Sequence, residues 1–193
     1  TKNGATATAM AADAINGSDT VTLEIALTTT GNTVGIKTTN NDTEAESNTV
    51  TVTGTGSITT GTGNNAYGIY NDGAYNTTTV SGSITTTGNL SIGIYNFGNN
   101  NETTVSGSIE TSAYGIVNQG HKNITTISGV ISTKSNYGLY IAGNDNISYL
   151  EGSIQNSGIW ADGIRINGNS NKTYISGEID IVSTDQVSVG VSQ

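Results

Sequence analysis

Apolar residues in this chain come singly, spaced two apart among Thr, Ser and Asn, and the same short phrases return at regular intervals. A Gly followed by an aliphatic residue, with Tyr, Ile or Asp before it, occurs at Gly68-Ile69, Gly93-Ile94, Gly115-Ile116, Gly138-Leu139 and Gly163-Ile164, spaced by 25, 22, 23 and 25 residues. A second Gly follows five positions after each. Another phrase, Val-Ser-Gly-Ser-Ile, stands at residues 80–84 and 105–109 and loosens at 127–131, 150–154 and 175–179. Residues 52–58 hold an earlier version with two extra residues. Residues 27–32 echo 84–89 almost letter for letter.

The arc from the first phrase to the second is constant at 11 residues (Ile69 to Val80, Ile94 to Val105, Ile116 to Ile127, Leu139 to Leu150, Ile164 to Ile175), whereas the return arc varies from 5 to 9. Strand faces must keep register between coils, while a corner loop tolerates extra residues at small entropic cost. Self-similarity at this period predicts a solenoid. An apolar period of 3.6 is missing and Gly recurs too often for helices. The expected fold is all-β: a right-handed single-stranded parallel β-helix of about six or seven coils, 22–26 residues each. Handedness follows from the rule for crossovers between parallel strands. Residues 1–193 read as one β-helix domain, with 1–19 as its start or cap, 20–182 as repeated coils and 183–193 as a further, truncated coil.

Alternation along a strand then assigns faces. With Val80 and Ile84 inward, Asn76, Thr78 and Gly82 also point inward, and Thr77, Thr79, Ser81 and Ser83 point out. The same offset places Asn48, Asn76, Asn101, Asn123, Asn146 and Asn171 four residues before an inward aliphatic, a predicted ladder of stacked Asn. Asn tolerates left-handed backbone at a corner, and its amide reaches an identical amide about 4.8 Å along the axis. A shorter column, Asn71, Asn96 and Asn118, gives way to Ile141 and Ile166, which predicts that it too faces inward.

Composition removes several function classes. The net charge is −9 with a single Arg, Arg165, so nucleic acid and anionic membrane are poor partners. No Cys is present, which eliminates disulfides, thiol catalysis and thiolate metal sites. No apolar run approaches the length of a membrane-spanning helix, so direct membrane insertion by this segment is not expected. The first fourteen residues, small and polar, read as a mature start rather than a leader.

Catalytic groupings are sparse. Asp162, Arg165 and Glu151 form a conceivable cleft of the carboxylate kind used on polysaccharides, set against the simpler reading of a solvated ion pair where the core thins. His121 is the only His, and no partner is evident for it. Gly143-Asn144-Asp145 is a fragment of a calcium nonapeptide. The sequons at Asn76, Asn101, Asn123, Asn146 and Asn171 are explained by inward alternation instead. Outward Thr columns break halfway, against ice binding. No catalytic residue, metal site or cofactor is assigned. Outward aromatics remain as candidate ligand-binding residues: Tyr70, Tyr95 and Tyr140 in one column, and Trp160 in the longer loop 155–161.

The alternation of Tyr-Gly-Ile-Tyr-Asn-x-Gly (residues 67–73) with Thr-Val-Ser-Gly-Ser-Ile (79–84) resembles the passenger domains of bacterial autotransporters, type V secreted surface proteins, over roughly residues 20–182. The resemblance implies a virulence-associated, non-enzymatic adhesin, extracellular and anchored in the outer membrane through a barrel outside this chain. Its partners would be a host-cell surface protein or glycan, or a further copy of itself through self-association. The Gly-Asp-Ser-Gly-Gly protease motif of that family does not occur. The alternative is a polysaccharide-active β-helix such as a depolymerase or phage tailspike.

Overall fold

The protein is described by a computed structural model over residues 15–16, 19–31, 33–158, 161–182 and 189–193. It is all-β apart from one helical turn at Glu44–Glu46. Each coil contributes one strand to each of three parallel sheets, as in Tyr67–Asp72 (sheet A), Thr77–Val80 (sheet B) and Ser83–Thr86 (sheet C). Sheet A has eight strands, from Ile15–Asn16 to Val191–Ser192; sheet B has seven, from Thr20–Leu23 to Lys172–Ile175; sheet C has seven, from Ala26–Thr28 to Glu178–Ile181. The result is a parallel β-solenoid of about seven turns.

Like residues stack. Ile69 pairs with Ile94 and Ile94 with Ile116; Val80 pairs with Val105 and Ile84 with Ile109. The echo that begins at Leu27 starts in true register, since Leu27 pairs with Ile58 and Ile58 with Ile84. The core is therefore a bundle of aliphatic columns, fully buried from Leu27 to Ile154 in sheet C and from Ile36 to Ile164 in sheet A. It thins at the far end, where Ile175 is 45% exposed. The first coils are longer than the expected 22–26 residues. Ile36 and Ile69 are in register although 33 positions apart, because corner insertions, including the turn at Glu44–Glu46, bulge out without disturbing the strands.

The Ser-Gly of the second phrase has a local cause. From residues 81–82 onward only two residues join sheets B and C, and both of their N–H groups donate to one carbonyl of the coil below. Ser106 and Gly107 use Val80 O at 2.9 and 3.0 Å, and Ser128 and Gly129 use Val105 O at 2.8 and 3.0 Å. The second residue of that corner lies against the preceding coil's backbone, so a Cβ there has no room.

The Asn ladder is present and buried from Asn48 to Asn146, with Asn171 half-buried. Its bonding differs from the expectation in two ways. The uniform link is from backbone to side chain: the N–H groups of Asn76, Asn101, Asn123 and Asn146 donate at 2.8–2.9 Å to Oδ1 of the Asn one coil on. Amide-to-amide bonds join Asn48 to Asn76, Asn76 to Asn101 and Asn146 to Asn171 at 3.0–3.1 Å, but Nδ2 of Asn101 and Asn123 has no partner. Nor is the ladder residue the left-handed one. That conformation falls one position earlier, at Tyr75, Asn100, Lys122, Asp145 and Ser170, with φ of 56–61°. The turn leaves the next N–H pointing along the axis with no backbone carbonyl to meet it, and the Asn oxygen supplies that acceptor.

The second column is the continuous amide ladder. Thr38 donates to Asn71 at 3.0 Å, Asn71 to Asn96 and Asn96 to Asn118 at 2.7 Å. Each amide also crosses the core to a sheet B hydroxyl: Asn71 to Thr78, Asn96 to Thr103 and Asn118 to Thr125, at 2.8–3.0 Å. Where Ile141 and Ile166 replace the amide, the facing Ser148 and Thr173 hydroxyls are buried without a partner.

Candidate binding face

Strict alternation from Ile69 would turn Tyr67 into the core. The intervening glycine prevents this. Gly68 is buried, and a Cβ there would press on the Ile84 side chain and lie 2.5 Å from the Gly93 carbonyl. The strand bends at that point, the pairing skips it, and both Tyr67 and Tyr70 emerge on the outer face of sheet A.

This brings together a cluster wider than the predicted column. The Tyr70 and Tyr95 rings stack at 5.2 Å, Tyr67 lies 5.4 Å from Tyr70 and 5.7 Å from Tyr95, and Phe97 is 6.2 Å from Tyr95. Lys37 caps the stack 5.0 Å above Tyr70 while pairing with Asp72 at 3.0 Å. The Tyr95 hydroxyl donates to Gln119 Oε1. Burial, then the neighbouring Tyr70, Tyr67 and Asp72, push the Tyr95 phenol up to about 12. Burial and the Asp72 carboxylate also raise that of Tyr70.

Tyr140 does not join this group. Val117, buried, interrupts the column, and Tyr140 packs instead with Tyr137 at 5.3 Å, which meets Tyr114 at 5.7 Å. Burial, with Tyr137 next, raises the Tyr114 phenol. Tyr67, Tyr114 and Tyr137 were not legible as part of the face, because only the glycine bend reveals their direction, whereas the outward direction of Phe97 follows from alternation with Tyr95. Trp160 lies outside the described residues.

Beside the aromatic cluster, where sheet A turns toward sheet B, runs an open groove of about 680 Å³, with Asp72, Phe97, Gln119, His121, Asn99 and Asp42 among its walls. His121 is not isolated as expected. Its N–H donates to Asn99 Oδ1 at 2.7 Å and its Nδ1 accepts from the Asn144 N–H at 3.0 Å. Asn144 Oδ1 accepts from Asn169 N–H at 2.8 Å. The groove floor is thus pinned by a third axial column of side-chain acceptors.

The conceivable carboxylate cleft resolves differently. Asp162 is 8% exposed and accepts from the Ser192 hydroxyl at 2.6 Å and the Val189 N–H at 3.1 Å, with Arg165 at 3.8 Å. Its bonds tie the next coil down. Glu151 is exposed at the corner between sheets B and C, and no contact joins it to Asp162 or Arg165 among the described residues. Among the described residues, no group of three or more His, Asp or Glu could hold a metal ion, and no helix is long and apolar enough to cross a membrane. Comparison of the chain with protein-family models, curated proteins and solved structures finds no match.

Proposed function

We propose that this chain is a non-enzymatic adhesive segment displayed at a bacterial cell surface, holding a host-cell protein or glycan against the outer face of sheet A. The observation that carries the reading is the half-exposed cluster of Tyr67, Tyr70, Tyr95 and Phe97 opening onto a polar groove. Aromatic rings supply large contact area at low rotamer entropy, and Asn, Gln and Asp beside them supply directional hydrogen bonds. A hydrogen-bonded stack of coils holds both in place, which limits the ordering cost of binding. The repeat resemblance to autotransporter passengers supports the surface location.

The test is adhesion of the purified chain to host cells, matrix proteins and a glycan panel, with a Y95A/F97A variant alongside. Expected is measurable binding that the double variant lowers about tenfold or more. Equal binding by the variant removes sheet A from the reading. Shortening of bacterial polysaccharides on incubation would favour the depolymerase alternative, with Asp42 and Asp72 on the groove wall as its first carboxylates to neutralise.

A further inference from the structure

Sheet B carries a different surface. Its outward positions hold no charge from Thr20 to Thr79, and across all seven strands only two charged residues occur, Glu102 and Lys172. Both are exposed, and neither makes an ion pair with a described residue. The charged pairs found on the other two sheets are already closed: Lys37 with Asp72, Lys134 with Glu110 and Arg165 with Asp162.

Glu102 and Lys172 stand in one column, in the register Glu102, Ile124, Ile147, Lys172. The adjacent outward column reads Thr104, Thr126, Tyr149, Tyr174, with the two Tyr rings stacked at 5.2 Å. Ile124 is 40% exposed and Tyr174 52%. This is a largely apolar patch four coils long, bounded axially by one acid and one base.

That order is complementary to itself when reversed. A two-fold axis lying between the Ile124 and Ile147 rows, perpendicular to the solenoid axis, places Glu102 of one copy opposite Lys172 of the other, and Ile124 opposite Ile147. The corner column before the strands obeys the same operation. Lys122 and Asp145 occupy equivalent corner positions one coil apart, both exposed, so each faces its opposite in the second copy. The remaining acid at the edges of sheet B on these coils, Glu151, meets Ser128. No like charges meet.

We infer that the outer face of sheet B is a self-association surface, on which two copies of this chain pack face to face with their solenoid axes antiparallel over these four coils. The inference is independent of sheet A and of what sheet A binds. The overlap is small and each copy carries −9, so the dimer is a weak, concentration-dependent one, held by apolar contact and registered by the charges.

Sedimentation equilibrium over a wide concentration range tests it, with circular dichroism melts checking that each variant folds. E102K and K172E each set like charges in opposition, and each should weaken dimerisation about tenfold or more. The E102K/K172E double variant should return it to within about threefold of the unmodified chain. Mixed in equal amounts, the two single variants should pair with each other, because both contacts are then opposite in sign. Ile147→Ser should weaken the dimer with the charges intact. A chain that stays monomeric throughout, single reversals without effect, or a double reversal no better than the singles would each overturn the inference.

Discussion

At the scale of single residues, the interior is held by axial acceptors for backbone N–H groups as much as by aliphatics. Asn123 illustrates this. Its Oδ1 receives the Asn101 N–H at 2.8 Å, so Asn123→Leu strands a buried donor and should cost about 1–3 kcal/mol in urea unfolding. Thr79→Ala, on the outer face, should cost less than about 0.5 kcal/mol. The hydroxyls of the Thr column sort in the same way. Thr103 accepts from Asn96 at 3.0 Å, and Thr103→Val should destabilise by about 1 kcal/mol or more, whereas Ser148→Ala should be neutral within about 0.5 kcal/mol because its hydroxyl has no partner. Matched losses at the two positions would contradict the cross-core bonding. The inward Asn and Thr were legible in the chain because alternation places them there. Their partners were not. The bond from Asn96 to Thr103 depends on how two sheets face each other across the core, and the left-handed residue could not be read where Tyr75, Asn100, Lys122, Asp145 and Ser170 share no side-chain type.

At the scale of strands, glycine governs direction. The strand Ile92–Phe97 bends at Gly93, where a Cβ would press on the Ile109 side chain and stand 2.6 Å from the Gly115 carbonyl. Gly93→Ala should therefore lower stability by about 1–3 kcal/mol through overpacking and shift the neighbouring aromatic rings, visible in near-ultraviolet dichroism. The phrase Gly-Ile announces itself in the chain by recurrence, but its meaning as a break in alternation is steric and appears only with the facing Ile in place. For that reason Tyr70 and Tyr95 were readable as outward, while Tyr67 was hidden behind a rule that fails at Gly68. Asp162, weighed in the chain as a conceivable cleft carboxylate or a solvated ion pair, is a clamp: Asp162→Asn should loosen the segment around Val189 and Ser192, raising its amide exchange, because the charge accepting both bonds is removed.

For the whole molecule, neighbour-only contact between coils makes stability close to a sum over repeats. Removing residues 94–115 joins Gly93 to Ile116, which is in register with Ile94. The shortened chain should fold with the same parallel pairing and a lower melting temperature. Alkaline pH acts on the molecule through the tyrosine cluster. The Tyr95 phenol is raised from 10.0 to about 12 when folded, so the folded state holds its proton where the unfolded chain has released it. The associated stability is complete below pH 10 and is lost as pH rises from there through about 12, so denaturant midpoints should fall across that interval. Phenolate absorbance should keep a component that titrates near pH 12, and Tyr95→Phe should remove it and flatten the loss. The period, the columns and the solenoid were all legible from spacing, since stacking forces like residues into line. The lengthened early coil was not, because insertions at corners leave the strand pattern untouched.

The strands run across the long axis of the stack, so tension applied at the two ends loads each ladder of hydrogen bonds one bond at a time, as a zipper rather than in shear. A chain pulled from its ends should yield in a series of small, similar force peaks, each releasing one turn. With neighbouring Ile94 and Ile69 in register 25 residues apart, each release should lengthen the tether by about 80 Å. Such a tether gives way gradually under flow and rewinds against the turns that remain.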